Sequence, residues 1–309
     1  MMNAIVNPSN LNLCGLSGRI GSGKDLATKI FQYLTCKDQE IRNAFLENPT
    51  KTMQYYDGIV EMNSPYKNTK YSAKVKFIVA ELLGVTIKKL EDKVFINAEL
   101  GQQWWYYVVD GEKLSYLDPK FDENRESLAE FLVKLTPRKM MQLVGTEAGR
   151  DILHPDVWVN STFAKYVADE DGNLPCWLVS DVRFPNELAK IHENGGFSIR
   201  LVRYKLFSEW LSTYAMDETI IELGGYEDLK ISDVDFMDFI NEYNSDSINE
   251  VIESVNHPSE VSLDGHQFHY TVDNGGTIEE LVNALYEILI KVGVLTPEGA
   301  YINATKVIA

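Results

Sequence analysis

The chain lacks any long apolar run: nothing approaches the roughly 18 consecutive apolar residues that a membrane-spanning helix needs, so no membrane partner is expected. It shows no basic segment followed by an apolar one at its start, so a cytoplasmic location is expected. Cysteine is scarce. Cys14, Cys36 and Cys176 are odd in number, far apart and without a C-x-x-C pair, which argues against a disulfide framework and a structural zinc site. Histidine is no richer in pattern. The five are scattered, and His266-x-x-His269 would point to opposite faces of a strand. Positive charge is also short. With 29 Lys and Arg against 46 Asp and Glu the net charge is −17, which argues against a nucleic-acid partner because phosphate backbones demand cations. There is no Asn-Lys-x-Asp stretch to read guanine, no internal repeat and no low-complexity segment.

The acidity is local. Residues 205–256 hold 13 Asp and Glu against 2 Lys, so −11 of the −17 sits there and the remainder can still hold a basic pocket for a small phosphorylated ligand. Trp210, Leu211, Phe236, Phe239 and Ile240 make this stretch too apolar for a free linker, and helical structure packed on the core or a second subunit is expected of it. At 45% apolar residues a substantial core can form, and 309 residues suit one large domain or two ordinary ones.

Against this background one motif stands out. Gly18-Arg19-Ile20-Gly21-Ser22-Gly23-Lys24 fits the phosphate-cradling pattern G-x-x-x-x-G-K, but Asp25 stands where the pattern asks for Ser or Thr. The short apolar run Leu11–Leu16 reads as a buried strand before it, and Leu26, Ile30, Phe31 and Leu34 give a helical spacing after it. Strand, glycine loop and helix together make phosphate binding credible, since backbone N–H groups and the helix N-terminus both favour an anion.

Further along, Lys74–Leu83 reads as a helix stopped by Gly84, and 104–110 with 113–117 as a hairpin around Gly111-Glu112. Ser127–Leu135 reads as a helix, Thr136-Pro137 as the cap and first position of another, Gly145–Asp151 as a Gly-bounded turn, and Val157–Val167 as a helix. Cys176–Ser180 is a strand ending at Asp181. Pro185–Glu193 is helical, Phe197–Val202 and Phe268–Val272 are strands, and Thr277-Ile278-Glu279-Glu280 is a capping box opening a helix through Ile290. Strands alternating with helices predict an α/β fold, a mainly parallel sheet with helices on both faces, as a single domain over 1–309 with a hairpin insertion at about 100–118 and an acidic insertion at about 205–256.

Two further groups can carry chemistry. Asp181-Val182-Arg183 follows a strand, with Glu187 one turn into the next helix. An acid at the carboxyl end of a parallel strand can hold Mg²⁺ through water, and an arginine there can neutralise a transferring phosphoryl group. Arg150 in the Gly145–Asp151 turn can clamp a phosphate through two parallel hydrogen bonds, or simply lie on a solvated face. The aromatic run Trp104-Trp105-Tyr106-Tyr107 suits a hairpin core or a subunit contact better than a base-stacking platform.

In order along the chain, "GRIGSGKD", "KVKFIVAELLG" followed by "ED", "QLVGTEAGRDILHPDVWVN", "VSDVRFPNE", "HPSE" and "FHYTVDNGGTIEEL" resemble the bacteriophage deoxynucleoside monophosphate kinases, a P-loop family. The likeness runs from about Leu13 to Leu285, and the pairing of GTE-GR…WV with DVRFPNE is its specific part. It implies a P-loop kinase-like fold, ATP as phosphoryl donor with Mg²⁺, a deoxynucleoside monophosphate (dNMP) as substrate, and the host cytoplasm as location. It also implies that Lys-Asp belongs at the end of the loop. Gly18, Gly21, Ser22, Gly23, Lys24 and Asn274 would bind the nucleotide, and Lys24, Asp25, Arg150, Asp181, Arg183 and Glu187 would serve catalysis, with Asp25 and Asp181 toward the metal. Leu26 departs from the family's usual Thr, removing a hydroxyl near the phosphates. A possible homodimer, a kinase for another small phosphorylated acceptor, and a non-kinase nucleotide-dependent switch stay open as readings.

Overall fold

Leu13–Ser17, five consecutive buried residues, forms a strand with both faces covered, which explains why its sequence is an apolar run and not an alternation. In the computed structural model the described residues are 7–19, 21–109, 111–118, 126–206, 230–232 and 261–302. They form two compact units, 1–70 with 163–309, and 71–162.

In the first unit five strands make one sheet: β1 (Leu13–Ser17), β2 (Lys67–Thr69), β3 (Trp177–Val182), β4 (Phe197–Val202) and β5 (Tyr270–Asp273). The order across the sheet is β5-β4-β1-β3-β2, and every neighbouring pair is parallel. Its helices are α1 (Lys24–Leu34), α2 (Gln39–Glu47), α3 (Pro49–Asn63), α4 (Pro185–Glu193) and α5 (Ile278–Val292). The alternation along β1 sorts them. Cys14 and Leu16 join Ala27, Ile30, Phe31 and Leu34 of α1 and Leu281, Leu285 and Leu289 of α5 in one buried core. Gly15, on the opposite pleat, lies against α4, where an added Cβ would sit 3.2 Å from Ile191. Helices therefore cover both faces of a parallel sheet, as expected of an α/β chain. Fully burying a residue such as Phe31 contributes about 1.5–3 kcal/mol, and truncating it to alanine costs about 3–5.

The caps fall where the side chains demand. Thr277 accepts from the Glu280 N–H while Glu280 accepts from the Thr277 N–H, a complete capping box, and Gly293 closes α5 in the left-handed region. A pair of short antiparallel strands, 204–206 with 230–232, is the described part of the acidic stretch. The helical packing expected of that stretch lies outside the described residues.

In the second unit, helix Ala73–Leu83 ends at left-handed Gly84, and Tyr106–Val109 pairs antiparallel with Glu112–Ser115. The aromatic run packs within this hairpin: Tyr107 is buried, and the Trp105 indole donates to the Leu100 carbonyl at 2.7 Å. Residues 127–135 depart from the expected helix. They form a 3₁₀ turn at Ala129–Phe131 and then a short strand, because Leu132 and Val133 pair with Tyr107 and Tyr106. Thr136 caps Pro137–Leu143 through the Lys139 N–H as expected, but Val144–Leu153 is a π-helix where a turn was expected. The helix from Val157 ends at Phe163, four residues early. Among the described residues no helix is long and apolar enough to cross a membrane.

Candidate functional site

The loop after β1 leaves the carboxyl edge of the sheet, where ligands bind in open α/β folds. Gly21 and Gly23 adopt φ of +78° and +90°, a region costly for any residue with a Cβ. Gly23 is doubly constrained, since a Cβ there would lie 2.1 Å from the Asn274 amide nitrogen. That amide donates to the Ser22 carbonyl at 2.8 Å, so Asn274, just after β5, braces the loop from outside. Arg203, just after β4, donates to the Gly21 carbonyl at 3.3 Å. Lys24 opens α1, and its ammonium donates to the carbonyls of Gly18 at 2.5 Å and Arg19 at 2.8 Å. The loop thus wraps its own lysine at the N-terminus of α1. A helix N-terminus with an ammonium beside it is favourable to an anion.

Asp181 belongs to the same edge. Strand β3 runs two residues beyond its expected end at Ser180, and Ser17 pairs with Val182, so buried Asp181 stands beside the end of β1. Arg183 follows in the turn into α4. Glu187, 1% exposed, accepts from the backbone N–H groups of Arg183 at 2.8 Å and Phe184 at 3.1 Å. Its carboxylate holds the Arg183 backbone and caps α4.

Asp25 is set differently. Its side chain is 89% exposed and pairs with Lys70 at 3.2 Å. It also borders a cleft of about 380 Å³ between α1 and α3, lined by Lys29, Gln32, Asp57, Glu61 and Asn68 among others. Three carboxylates against one lysine make that cleft unsuited to phosphate. Among the described residues no group of three or more His, Cys, Asp or Glu could hold a metal by itself.

In the second unit the π-helix shapes the surroundings of Arg150. Its guanidinium donates to the Gly145 carbonyl at 3.1 Å, and the Trp158 indole donates to the same oxygen at 2.7 Å. Gly149 lies flat against Trp158, where a Cβ would approach the ring to 2.5 Å. π-helical turns recur at functional sites.

Three residues in or beside the loop receive no role from the sequence. Arg19 and Arg200 both pair with Asp264, Arg200 at 2.7 Å, and Arg200 also donates to the Ser17 hydroxyl at 3.1 Å. The signal was present in β4, where Arg200 interrupts the apolar run FSIRLV in a fully buried strand.

No family model matches the chain. Two curated proteins do. It is 27% identical over 197 residues to the deoxynucleoside-5'-monophosphate kinase of Escherichia phage T5, a match covering 57% of this chain and 69% of that protein. By this match the chain is a relative of a phage deoxynucleoside monophosphate kinase. It is also 34% identical over 96 residues to a putative deoxynucleotide monophosphate kinase of Acanthamoeba polyphaga mimivirus, spanning 28% of this chain and about half, 49%, of that protein. The parallel five-stranded sheet flanked by helices is consistent with a P-loop kinase fold in such a relative.

Proposed function

We propose that the chain is a deoxynucleoside monophosphate kinase, transferring the γ-phosphoryl group of ATP to a dNMP to give ADP and a dNDP. The observation that carries this reading is the Gly18–Lys24 loop closed around Lys24 at the β1–α1 turn, in a relative of a phage kinase of that kind. An acceptor phosphate oxygen attacks the γ-phosphorus while the bond from that phosphorus to the β-bridging oxygen breaks. The acceptor is already ionised near neutral pH, its second pKa being about 6, so no general base is required. The protein's contribution is positioning and neutralisation.

In this reading Lys24 neutralises the outer phosphates, and the loop N–H groups with Ser22 hold them. Arg183 meets the transferring group, with Glu187 acting through the Arg183 backbone. Arg150 clamps an acceptor phosphate, and Asn274 keeps the loop in shape. Mg²⁺ suits the oxygen donors available: Asp25 and Asp181 are hard ligands, and a cation that keeps waters and takes phosphate oxygens needs few carboxylates. It would shield charge between the phosphates. A cytoplasmic location and a single kinase-like domain carrying insertions belong to the same proposal.

The test is ADP production from ATP and Mg²⁺ across all dNMPs and NMPs. Stimulation by one or more dNMPs supports the reading. Turnover only with another phosphorylated acceptor, or ATP hydrolysis that no monophosphate stimulates, rejects it.

A further inference from the structure

Arg19 lies in the glycine loop with its side chain 5% exposed. One terminal nitrogen bonds Asp264. Its Nε and its other terminal nitrogen are buried and have no hydrogen-bond partner among the described residues. Arg200, 9% exposed, uses the other oxygen of the same carboxylate. Arg19 therefore does not have the Asp264 carboxylate to itself. A buried cation without full compensation is strongly unfavourable, and a guanidinium with five fixed donors is unfavourable again when its N–H groups go unmet. Three residues on, the Ser22 hydroxyl is also buried and without a partner among the described residues.

Both unmatched groups are donors, both belong to one turn, and that turn opens the 11-residue helix α1, whose N-terminus attracts negative charge. A mere strut between the loop and the segment at Asp264 would match one arginine to one carboxylate and leave no N–H idle. We propose that Arg19 is a phosphate-binding residue of the loop, anchored by Asp264 and aimed at the di- or triphosphate group of a nucleotide. This rests on the reading of the loop as a nucleotide site and adds to it a side-chain ligand beyond Lys24.

The test is calorimetric titration of ADP, ATP and inorganic pyrophosphate into the full chain as parent, Arg19→Met and Arg19→Lys, alongside melting temperatures without ligand. Removing a charge-assisted contact should weaken ADP and ATP roughly tenfold to a hundredfold in Arg19→Met. Pyrophosphate should weaken in parallel. Arg19→Lys should fall between, because it keeps the charge and loses the planar fork. The melting temperature of ligand-free Arg19→Met should match or exceed the parent's, since the change removes two buried, unmet nitrogens and leaves Asp264 paired with Arg200. A parent that binds ADP or ATP alongside an Arg19→Met protein of equal affinity overturns the proposal and leaves the loop reading intact. If Arg19→Met does not fold, parental affinity in Arg19→Lys overturns it instead. A folded parent that binds neither nucleotide removes the loop reading and this proposal together.

Discussion

Lys24 carries its charge on a short tether to its own loop, and that tether sets what its removal should do. Its bonds to two backbone carbonyls are local and the α1 core lies on the other side, so Lys24→Ala should fold. Electrostatic groups of this kind contribute about 3–4 kcal/mol to the transition state, so ADP production should fall by about two to three orders of magnitude. Near-parental turnover would take the loop out of the mechanism. The arginines make a second case. If Arg150 and Arg183 clamp phosphates with paired N–H groups, lysine cannot replace them, and each Arg→Lys change should lower kcat/KM for the acceptor with little change in melting temperature. Asp25 divides two explanations. As an exposed partner of Lys70 in the first turn of α1 it adds little to stability, and Asp25→Asn should then leave kinetics untouched. As a magnesium ligand it should instead show a large fall in kcat and a higher Mg²⁺ requirement, with ATP binding largely kept by the backbone cradle. We expect the second outcome from a magnesium titration of the variant.

Among the elements, the π-helix Val144–Leu153 is held at both of its glycines by one side chain, Trp158. Adding a methyl group at Gly149 drives it into the Trp158 ring, so Gly149→Ala should cost about 1–3 kcal/mol in a urea melt and disturb Arg150 through the shared Gly145 carbonyl. A normal acceptor KM in that variant would detach the π-helix from function. The same element marks where the sequence stopped being readable. The β1–loop–α1 unit and the Thr277 capping box are local, written in spacing and cap residues, and they stand as read. The π-helix is decided by an indole 13 residues away, and 127–135 by pairing to Tyr106 and Tyr107, so local propensity pointed elsewhere. The Arg19–Asp264 pair spans 245 residues and no local pattern announces it, although an arginine inside a buried strand was visible.

For the molecule as a whole, acid should be a weak point for a specific reason. His192 bonds the Ser198 hydroxyl at 2.8 Å beside His269, and burial first, then the charge of His269, lowers its pKa to about 4 from 6.5. The folded state refuses a proton that the unfolded chain accepts between those values, so this contribution is full above about pH 6.5 and is lost as pH falls toward 4. His192→Gln keeps a hydrogen-bonding partner for Ser198 without the titration. It should lose less melting temperature than the parent between about pH 7.5 and 5. An identical loss in both proteins would assign the acid sensitivity to other groups.

The strand order β5-β4-β1-β3-β2 has a consequence for how the chain is assembled. β1 and β2 come from before residue 71, and β3, β4 and β5 from after residue 162. The two early strands do not touch each other: β1 is zipped between β3 and β4, and β2 reaches the sheet only through β3. The early strands therefore have no sheet to join until the late ones have been synthesised, which places sheet closure among slow, long-range events. It also makes the molecule a natural two-part lock. Cut anywhere between Lys70 and Phe163, the halves share every hydrogen-bonded edge of β1 and β2 and should remain clasped, so that co-expressed fragments rebuild the loop that neither forms alone.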